Sequence, residues 1–271
     1  MRKVKYNDIQ LEYTTFGTGD TYVIALHGHG KSVEDYKFFN HEKNTIVALD
    51  LIHHGNSYFP EKRISKNPLS QEEFLTLFNA ILFQLNIDKF HLMAFSQGGR
   101  FALKIMETMP KNILSCSLFS PDGIQLNGFF EKASNKKWCR VVMHFFEKYP
   151  KTFYRLACIS HKMGFINFKV LELTHDFTQD HEKMVRASRC WRNFRDIRSN
   201  PKKIGFVIEE NQIPFQIIMG KFDNIFPAKI AHDFALEAEL QNVVVEINSG
   251  HDFFKEESKL MLRPLLPFLQ H

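Results

Sequence analysis

Ala94-Phe95-Ser96-Gln97-Gly98-Gly99 is the stretch on which the reading of this chain turns. An apolar run, Phe90-His91-Leu92-Met93-Ala94-Phe95, leads into it, and a helical pattern over residues 100–109 leads out. Strand, sharp turn through a serine, then helix is the setting of a nucleophile elbow. Such a turn holds the serine hydroxyl clear of the sheet. The following helix aims its first N–H groups at charge that develops there. Small residues are needed where the turn crowds its neighbours, and Gly98, Gly99 and Ala94 meet that need. Alanine stands where the usual G-x-S-x-G pattern has its first glycine. Taken alone, Ser96 also reads as an ordinary helix N-cap, so the rest of the chain has to decide.

Outward from the elbow, apolar runs alternate with helical patterns. Residues 3–6 and 10–16 alternate like strands. Residues 21–26, 45–49, 113–119, 215–220 and 243–247 are near-continuous apolar runs, the mark of strands buried on both faces. Ser70-Gln71-Glu72-Glu73 reads as a capping box, with Phe74, Phe78, Ile81, Leu82 and Leu85 on one face of the helix behind it. A short helix is expected over 33–39. Another is expected from Pro227, which suits a first helical position, through Leu240. The pattern predicts an α/β fold: a mostly parallel sheet of about eight strands with helices on both faces. From 124 to 211 the alternation stops and several helices are expected. The core is therefore assigned to 1–123 and 212–271, with 124–211 as an inserted helical cap.

Composition narrows the class. The chain has 271 residues, 44% of them hydrophobic, which is ordinary for a protein with a sizeable core. Cys116, Cys139, Cys158 and Cys190 show no paired spacing, which argues against a disulfide framework or a zinc site. The first residues lack an apolar signal region, and no run approaches the ~18 residues of a membrane span. A cytoplasmic protein is expected. The formal charge of +5 is too mild to indicate nucleic acid.

In open parallel sheets, ligands bind beyond the carboxyl ends of the strands. The unusual polar clusters all fall there. A serine hydroxyl needs a base to take its proton, and a histidine base needs a carboxylate to hold its tautomer. The sheet rule offers His251 after the last strand and Asp223 after the one before it. The order Ser96, Asp223, His251 is nucleophile, acid, base. With His27-Gly28-His29-Gly30, the Asp50…Gly55-Asn56-Ser57 loop, Gly220…Asp223…Pro227 and Gly250-His251, the chain resembles the α/β-hydrolase superfamily. That resemblance implies Ser96 as nucleophile, Asp223 as acid and His251 as base. It implies an oxyanion hole from the backbone N–H groups of His29 and Gln97. Ile52 and His53 stand where many relatives have proline and glycine.

Rival readings attach to the same residues. Gly30-Lys31-Ser32 suggests a phosphate loop, but Ala25 stands where that motif needs glycine. Asp122 also follows a strand and is a second candidate acid. His53 and His54 are adjacent, and neighbours on a loop rarely both point at one ion; lining the site or bonding the next loop suits them better. His91, His144, His161 and His175 read as ordinary histidines.

The segment 126–205 holds 17 Lys and Arg against 7 Asp and Glu. Arg186, Arg189, Arg192, Arg195 and Arg198 recur every third residue and would spread around a helix whose apolar stripe is Ala187, Cys190, Trp191, Phe194 and Ile197. Either they solvate its outer face, or one or two border the pocket and favour an anionic substrate. His54, Arg186, Arg189 and Trp191 are the candidates for contacting substrate. Phe129, Phe130, Phe145, Phe146, Phe153, Phe165, Phe168 and Phe177 supply the cap's own core, with a minority available for an acyl pocket.

The leading expectation is a serine hydrolase of a small or medium carboxylic ester or thioester, with no metal and no organic cofactor. The alternatives are a carbon–carbon bond hydrolase or lyase on the same triad, and a non-catalytic ligand-binding module. Serine at position 96 disfavours an Asp-nucleophile dehalogenase or epoxide hydrolase.

Overall fold

The computed structural model describes residues 2–125 and 135–270, the side chains at 169, 170, 173, 176 and 177 excepted. Phe129, Phe130 and the Phe177 side chain lie outside what is described. Eight strands form one sheet: β1 Arg2–Tyr6, β2 Ile9–Phe16, β3 Thr21–Leu26, β4 Asn44–Asp50, β5 Phe90–Phe95, β6 Ile113–Phe119, β7 Phe215–Gly220 and β8 Val244–Ile247. The described helices are α1 Glu61–Ile64, α2 Gln71–Leu85, α3 Gln97–Thr108, α4 Lys137–Lys148, α5 Pro150–Lys162, α6 Phe168–Gln179, α7 His181–Asn193, α8 Pro201–Glu210, α9 Ala228–Glu237 and α10 Glu256–Leu262. Residues Val33–Phe39 form a 3₁₀ turn.

Strand order is β1-β2-β4-β3-β5-β6-β7-β8. β1 and β2 are antiparallel to their neighbours, and every pair from β4 to β8 is parallel. The apolar runs foretold β3, β5, β6 and β7 to the residue, because a strand covered on both faces has no polar face to blur its limits. Alternate residues serve the two faces. Val23, Ala25, Met93, Phe95, Phe119 and Ile218 pack with Tyr36, Phe39, Phe253, Phe254, Leu262 and Leu266. On α2, the Phe74 ring packs tilted against that of Phe101 of α3 at 4.6 Å, and Phe78 meets Phe90 of β5 edge-on. The capping box that starts α2 is formed: Ser70 accepts the Glu73 N–H, and the Glu73 carboxylate accepts the Ser70 N–H.

The chain divides into two compact units: Met1–Pro60 with Leu69–Leu126 and Asp196–His271, and Glu61–Pro68 with Asn127–Arg195. The first carries the sheet. It also holds α8, which the loss of alternation had assigned to the insertion. Gly205 explains the packing of α8, since a Cβ there would lie 1.8 Å from the Ala238 carbonyl oxygen. The second unit contains α1, α4, α5, α6 and α7, and takes in residues 61–68 that the alternation had placed in the core. Two helix limits also differ from expectation. Pro227 is the extended N-cap of α9, with ψ of 143°, not its first helical residue. That helix ends at Glu237 because Glu239 turns left-handed, with φ of 60°. Among the described residues no helix is long and apolar enough to cross a membrane.

Candidate active site

The turn between β5 and α3 is strained at its serine. Ser96 has φ of 47° and ψ of −117°, a region that side chains with a Cβ avoid and that marks functional turns. Three backbone bonds hold it. The Ser96 N–H donates to Phe119 O at 2.9 Å, and the Ser96 carbonyl accepts the N–H groups of Gly99 and Asp122 at 2.9 and 2.7 Å. The turn can be this sharp only because Gly98 lies against the end of β3, where a Cβ would stand 2.2 Å from the Leu26 carbonyl oxygen. Gly28 on the facing loop is equally constrained: a Cβ there would meet the Phe95 ring at 2.6 Å. Ala94 at the end of β5 is fully buried, so a methyl group is tolerated where the common pattern has glycine.

Asp223 follows β7 and His251 follows β8, and the parallel register of these strands puts both beside the elbow. His251 Nδ1 lies 2.7 Å from Asp223 Oδ2, and His251 Nε2 lies 3.1 Å from Ser96 Oγ. An ionised carboxylate only accepts, so the ring proton sits on Nδ1 and Nε2 accepts the serine hydroxyl. The other carboxylate oxygen, Oδ1, accepts the N–H groups of Ile225 and Phe226, both at 2.8 Å. Burial pushes the Asp223 carboxyl up, but the bonds from His251 and Phe226 outweigh it and hold it below the ordinary carboxylate range. The Asp223 side chain is fully sheltered and that of His251 is 20% exposed. The imidazole is in tilted contact with the rings of Phe95 and Phe226, at 5.1 and 5.5 Å. Such a chain can draw the proton from a hydroxyl as it attacks an electrophile.

A family model described as alpha/beta hydrolase fold matches residues 22–161, more than half of the chain. The chain belongs to the alpha/beta hydrolase family. One curated relative of this alpha/beta hydrolase is the dihydrolipoyllysine-residue acetyltransferase component of the acetoin cleaving system of Cupriavidus necator. It is 30% identical over 119 residues, which are 42% of this chain and 30% of that protein. The chain thus matches less than a third of that relative's length. Among solved structures, an alpha/beta hydrolase enzyme from a Medee basin deep-sea metagenome library superposes with a TM-score of 0.71 at 18% identity, covering 100% of this chain and 98% of that one. A thermophilic esterase from Thermogutta terrifontis superposes with a TM-score of 0.65 at 16% identity, covering 100% of both chains. At these identities the likeness is one of fold.

The rival acid is engaged elsewhere in this alpha/beta hydrolase. Asp122 takes the Arg100 guanidinium in a two-pronged pair, Nε to Oδ2 at 3.0 Å and Nη2 to Oδ1 at 3.1 Å. Gln97 opens α3 directly after Ser96, so its N–H is one of those a helix start leaves without an intrahelical acceptor. His29 stands on the loop after β3. That loop is stitched to the one after β4 in both directions. His27 Nε2 accepts the Leu51 N–H at 3.0 Å, and His54 Nε2 accepts the Gly30 N–H at 3.3 Å. His54 is therefore a buried loop brace, not a group presented to solvent. His53 adopts φ of 73°, a left-handed conformation that a residue with a Cβ seldom takes and glycine takes readily.

The arginine series does not behave as one helical array. α7 ends at Asn193, before Arg195 and Arg198. Arg192 and Arg195 are buried, contrary to an outer solvated face. Arg192 pairs with the buried Glu147, and Arg195 donates to the carbonyls of Ile64, Ser65 and Arg192. Arg189 pairs with Glu61 at 2.7 Å and with Glu147 at 3.4 Å. Burial of a carboxylate at 147 explains the inward turn, since an unpaired charge there would be costly. Arg186 and Trp191 are half-buried in the same unit. The Phe95 and Phe226 rings against His251 escaped the sequence reading. So did the Lys31–Asp252 ion pair at 2.8 Å, which joins the loop after β3 to the loop after β8. Only the position of these residues at strand ends hinted at them.

Proposed function

We propose that the protein is a serine hydrolase of small or medium ester-like substrates, carboxylic esters or thioesters. The observation that carries this reading is the unbroken chain of bonds from Asp223 through His251 to Ser96. In it, Ser96 Oγ attacks the acyl carbon while His251 Nε2 takes the hydroxyl proton. The carbonyl oxygen becomes an oxyanion, stabilised by the backbone N–H groups of His29 and Gln97. Collapse breaks the bond to the leaving alcohol or thiol, which receives the proton from His251. The acyl group is then held as an ester on Ser96. Water, deprotonated by the same ring, attacks that ester. Its collapse returns the acid product and the serine hydroxyl. Asp223 keeps the ring in one tautomer and stabilises its cationic form throughout. Neither a metal ion nor an organic cofactor enters these steps. The esterase among the fold's solved relatives is consistent with this chemistry.

The test is turnover of p-nitrophenyl esters of increasing acyl length by the wild type and Ser96→Ala, with a fluorophosphonate as active-site probe. Expected are turnover that disappears in Ser96→Ala and one-to-one labelling of Ser96. Labelling of Ser96 with no ester turnover would keep the triad and move the substrate away from simple esters, which favours the reading as a carbon–carbon bond hydrolase or lyase on the same residues. Absence of both would leave a ligand-binding module.

A further inference from the structure

The second unit exposes apolar side chains that a helix packed in water normally turns inward. On α4, Trp138, Val141, Val142 and Phe145 follow the i, i+3, i+4, i+7 spacing of an apolar stripe, the stripe a soluble helix normally turns inward. Here all four are exposed, Trp138 at 66% and Val141 at 64%. The residue α4 buries is its carboxylate, Glu147. The next helix repeats the pattern, exposing Leu156 and Ile159, with Met163, Phe165 and Phe168 exposed just beyond its end. Tyr149 between the two helices is exposed as well and lies 4.9 Å from the Phe145 ring. An exposed apolar area of this extent marks a surface that is covered in use.

Charge says by what. Residues 135–168 contain seven Lys and Arg and one acid, Glu147. The acid is turned inward against Arg192, while Lys136, Lys137, Lys148, Lys151, Arg155 and Lys162 are exposed. The solvent side of this segment is therefore cationic and apolar, with no anion of its own. The placement of the lysines also runs against helix stability. Neither α4 nor α5 has an acidic residue in its first turn, and Lys136, Lys137 and Lys151 crowd the two N-termini, where the helix dipole favours anions. Positive charge kept at this cost points to an anionic partner. A second copy of the chain would bring two cationic faces together. Nucleic acid would meet the lysines but leave Val141, Val142, Leu156, Ile159 and Met163 with nothing apolar to cover them.

We infer that this face docks on an anionic lipid surface. The aliphatic and aromatic side chains enter the acyl boundary, Trp138 and Tyr149 sit at headgroup depth, and the lysines and Arg155 reach the phosphates. The mode is interfacial, with the helices lying on the bilayer.

The experiment is co-sedimentation of the full chain with large unilamellar vesicles of pure phosphatidylcholine or of phosphatidylcholine mixed with phosphatidylglycerol, at low and high salt. Expected is binding to the mixed vesicles at least about tenfold tighter than to the neutral ones, weakened by salt. Val141→Asp with Phe145→Asp should abolish it, and Lys136→Glu with Lys137→Glu should weaken it by at least about tenfold. Both variants change exposed positions. A circular dichroism melt like that of the wild type establishes that they are folded. No binding to either vesicle overturns the proposal, as does binding that both variants retain. Concentration-dependent self-association lost in Val141→Asp with Phe145→Asp, without vesicle binding, assigns the face to a second copy and also overturns it.

Discussion

The imidazole of His54 accepts the backbone N–H of Gly30 at 3.3 Å, and so fixes the loop that carries the His29 N–H. An oxyanion donor is effective only when held in place before the charge develops. His54→Ala should therefore lower kcat by roughly tenfold while leaving KM within a few-fold, because small misplacements act on the transition state more than on ground-state binding. His54→Asn, which keeps an acceptor, should recover part of the loss. Steady-state kinetics on a p-nitrophenyl ester checks this. An unchanged kcat in His54→Ala would show that the loop is held by Lys31–Asp252 and the His27 bond alone.

Asp223 and Asp122 both follow strands, and their variants should separate cleanly. Asp223→Asn leaves the ring of His251 facing an amide and should cut kcat by roughly 10³–10⁴-fold. Asp122→Ala should leave kcat within a few-fold and cost stability instead, since Arg100 loses its two-pronged partner. Linkage adds a second signature. The folded carboxyl of Asp223 is held below its ordinary value, so the anion's contribution is present above the unfolded value of about 4 and is lost as pH falls through the folded one. The Tm gap between wild type and Asp223→Asn should be full at neutral pH and narrow in acid below about pH 4. Equal kinetic losses in the two variants would count against the assignment.

How much of this was legible beforehand follows from where the information sits. Strands β3, β5, β6 and β7 stood out because parallel strands are apolar on both faces. Asp223 and His251 stood out because each polar cluster interrupts the chain just where such a strand ends. The burial of Arg192 and Arg195 was invisible: a three-residue arginine spacing looks like a solvated face until a distant Glu147 is known to be buried beside Arg192. The Phe226 ring beside His251 and the pairing of Lys31 with Asp252 depend on how loops after different strands meet, which no local period encodes. The division into compact units departs at α8 from the boundary read off the alternation, because loss of strand–helix alternation does not reveal which layer a helix joins.

Asp50 carries a built-in strain. It is buried and sits directly across the antiparallel ladder from Glu12, and like charges in that position repel. Burial first, then Glu12 and Glu34, raise its carboxyl to about 6. The folded state thus holds the proton more tightly than the unfolded chain. Stability is fully present below about pH 4 and declines as pH rises towards 6. Asp50→Asn removes that decline. Its Tm should match the wild type near pH 4 and exceed it by a few degrees at pH 7, measured by thermal scans across that range. A lower Tm at pH 7 would mean that hydrogen bonds stabilise the anion more than Glu12 and Glu34 oppose it.

Glu147 is the carboxylate around which the second unit is assembled. It accepts from Arg192, Arg189 and Ser188, and His144 Nδ1 lies 3.2 Å from its Oε2. Its backbone carbonyl lies 3.0 Å from His181 Nε2. Removing one member of a buried pair is worse than removing both, because the survivor keeps its charge without a partner. Arg192 is 3% exposed, so Glu147→Ala should destabilise the unit by about 3–5 kcal/mol. Glu147→Leu combined with Arg192→Met fills similar volume with no charge and should recover most of that loss. Arg189 retains Glu61 at 2.7 Å in either case, so Arg192 is the buried cation that the single variant strands, while the weaker contacts of Arg189, Ser188 and His144 with Glu147 are lost in both variants. Hydrogen exchange read separately on α4, α7 and the sheet checks the location. Faster exchange should appear in α4 and α7 of Glu147→Ala while β3, β5 and β6 stay protected. If the double variant exchanges as fast as the single one, the arginine cluster acts through its carbonyl bonds at Ile64 and Ser65, and Glu147 is a passenger.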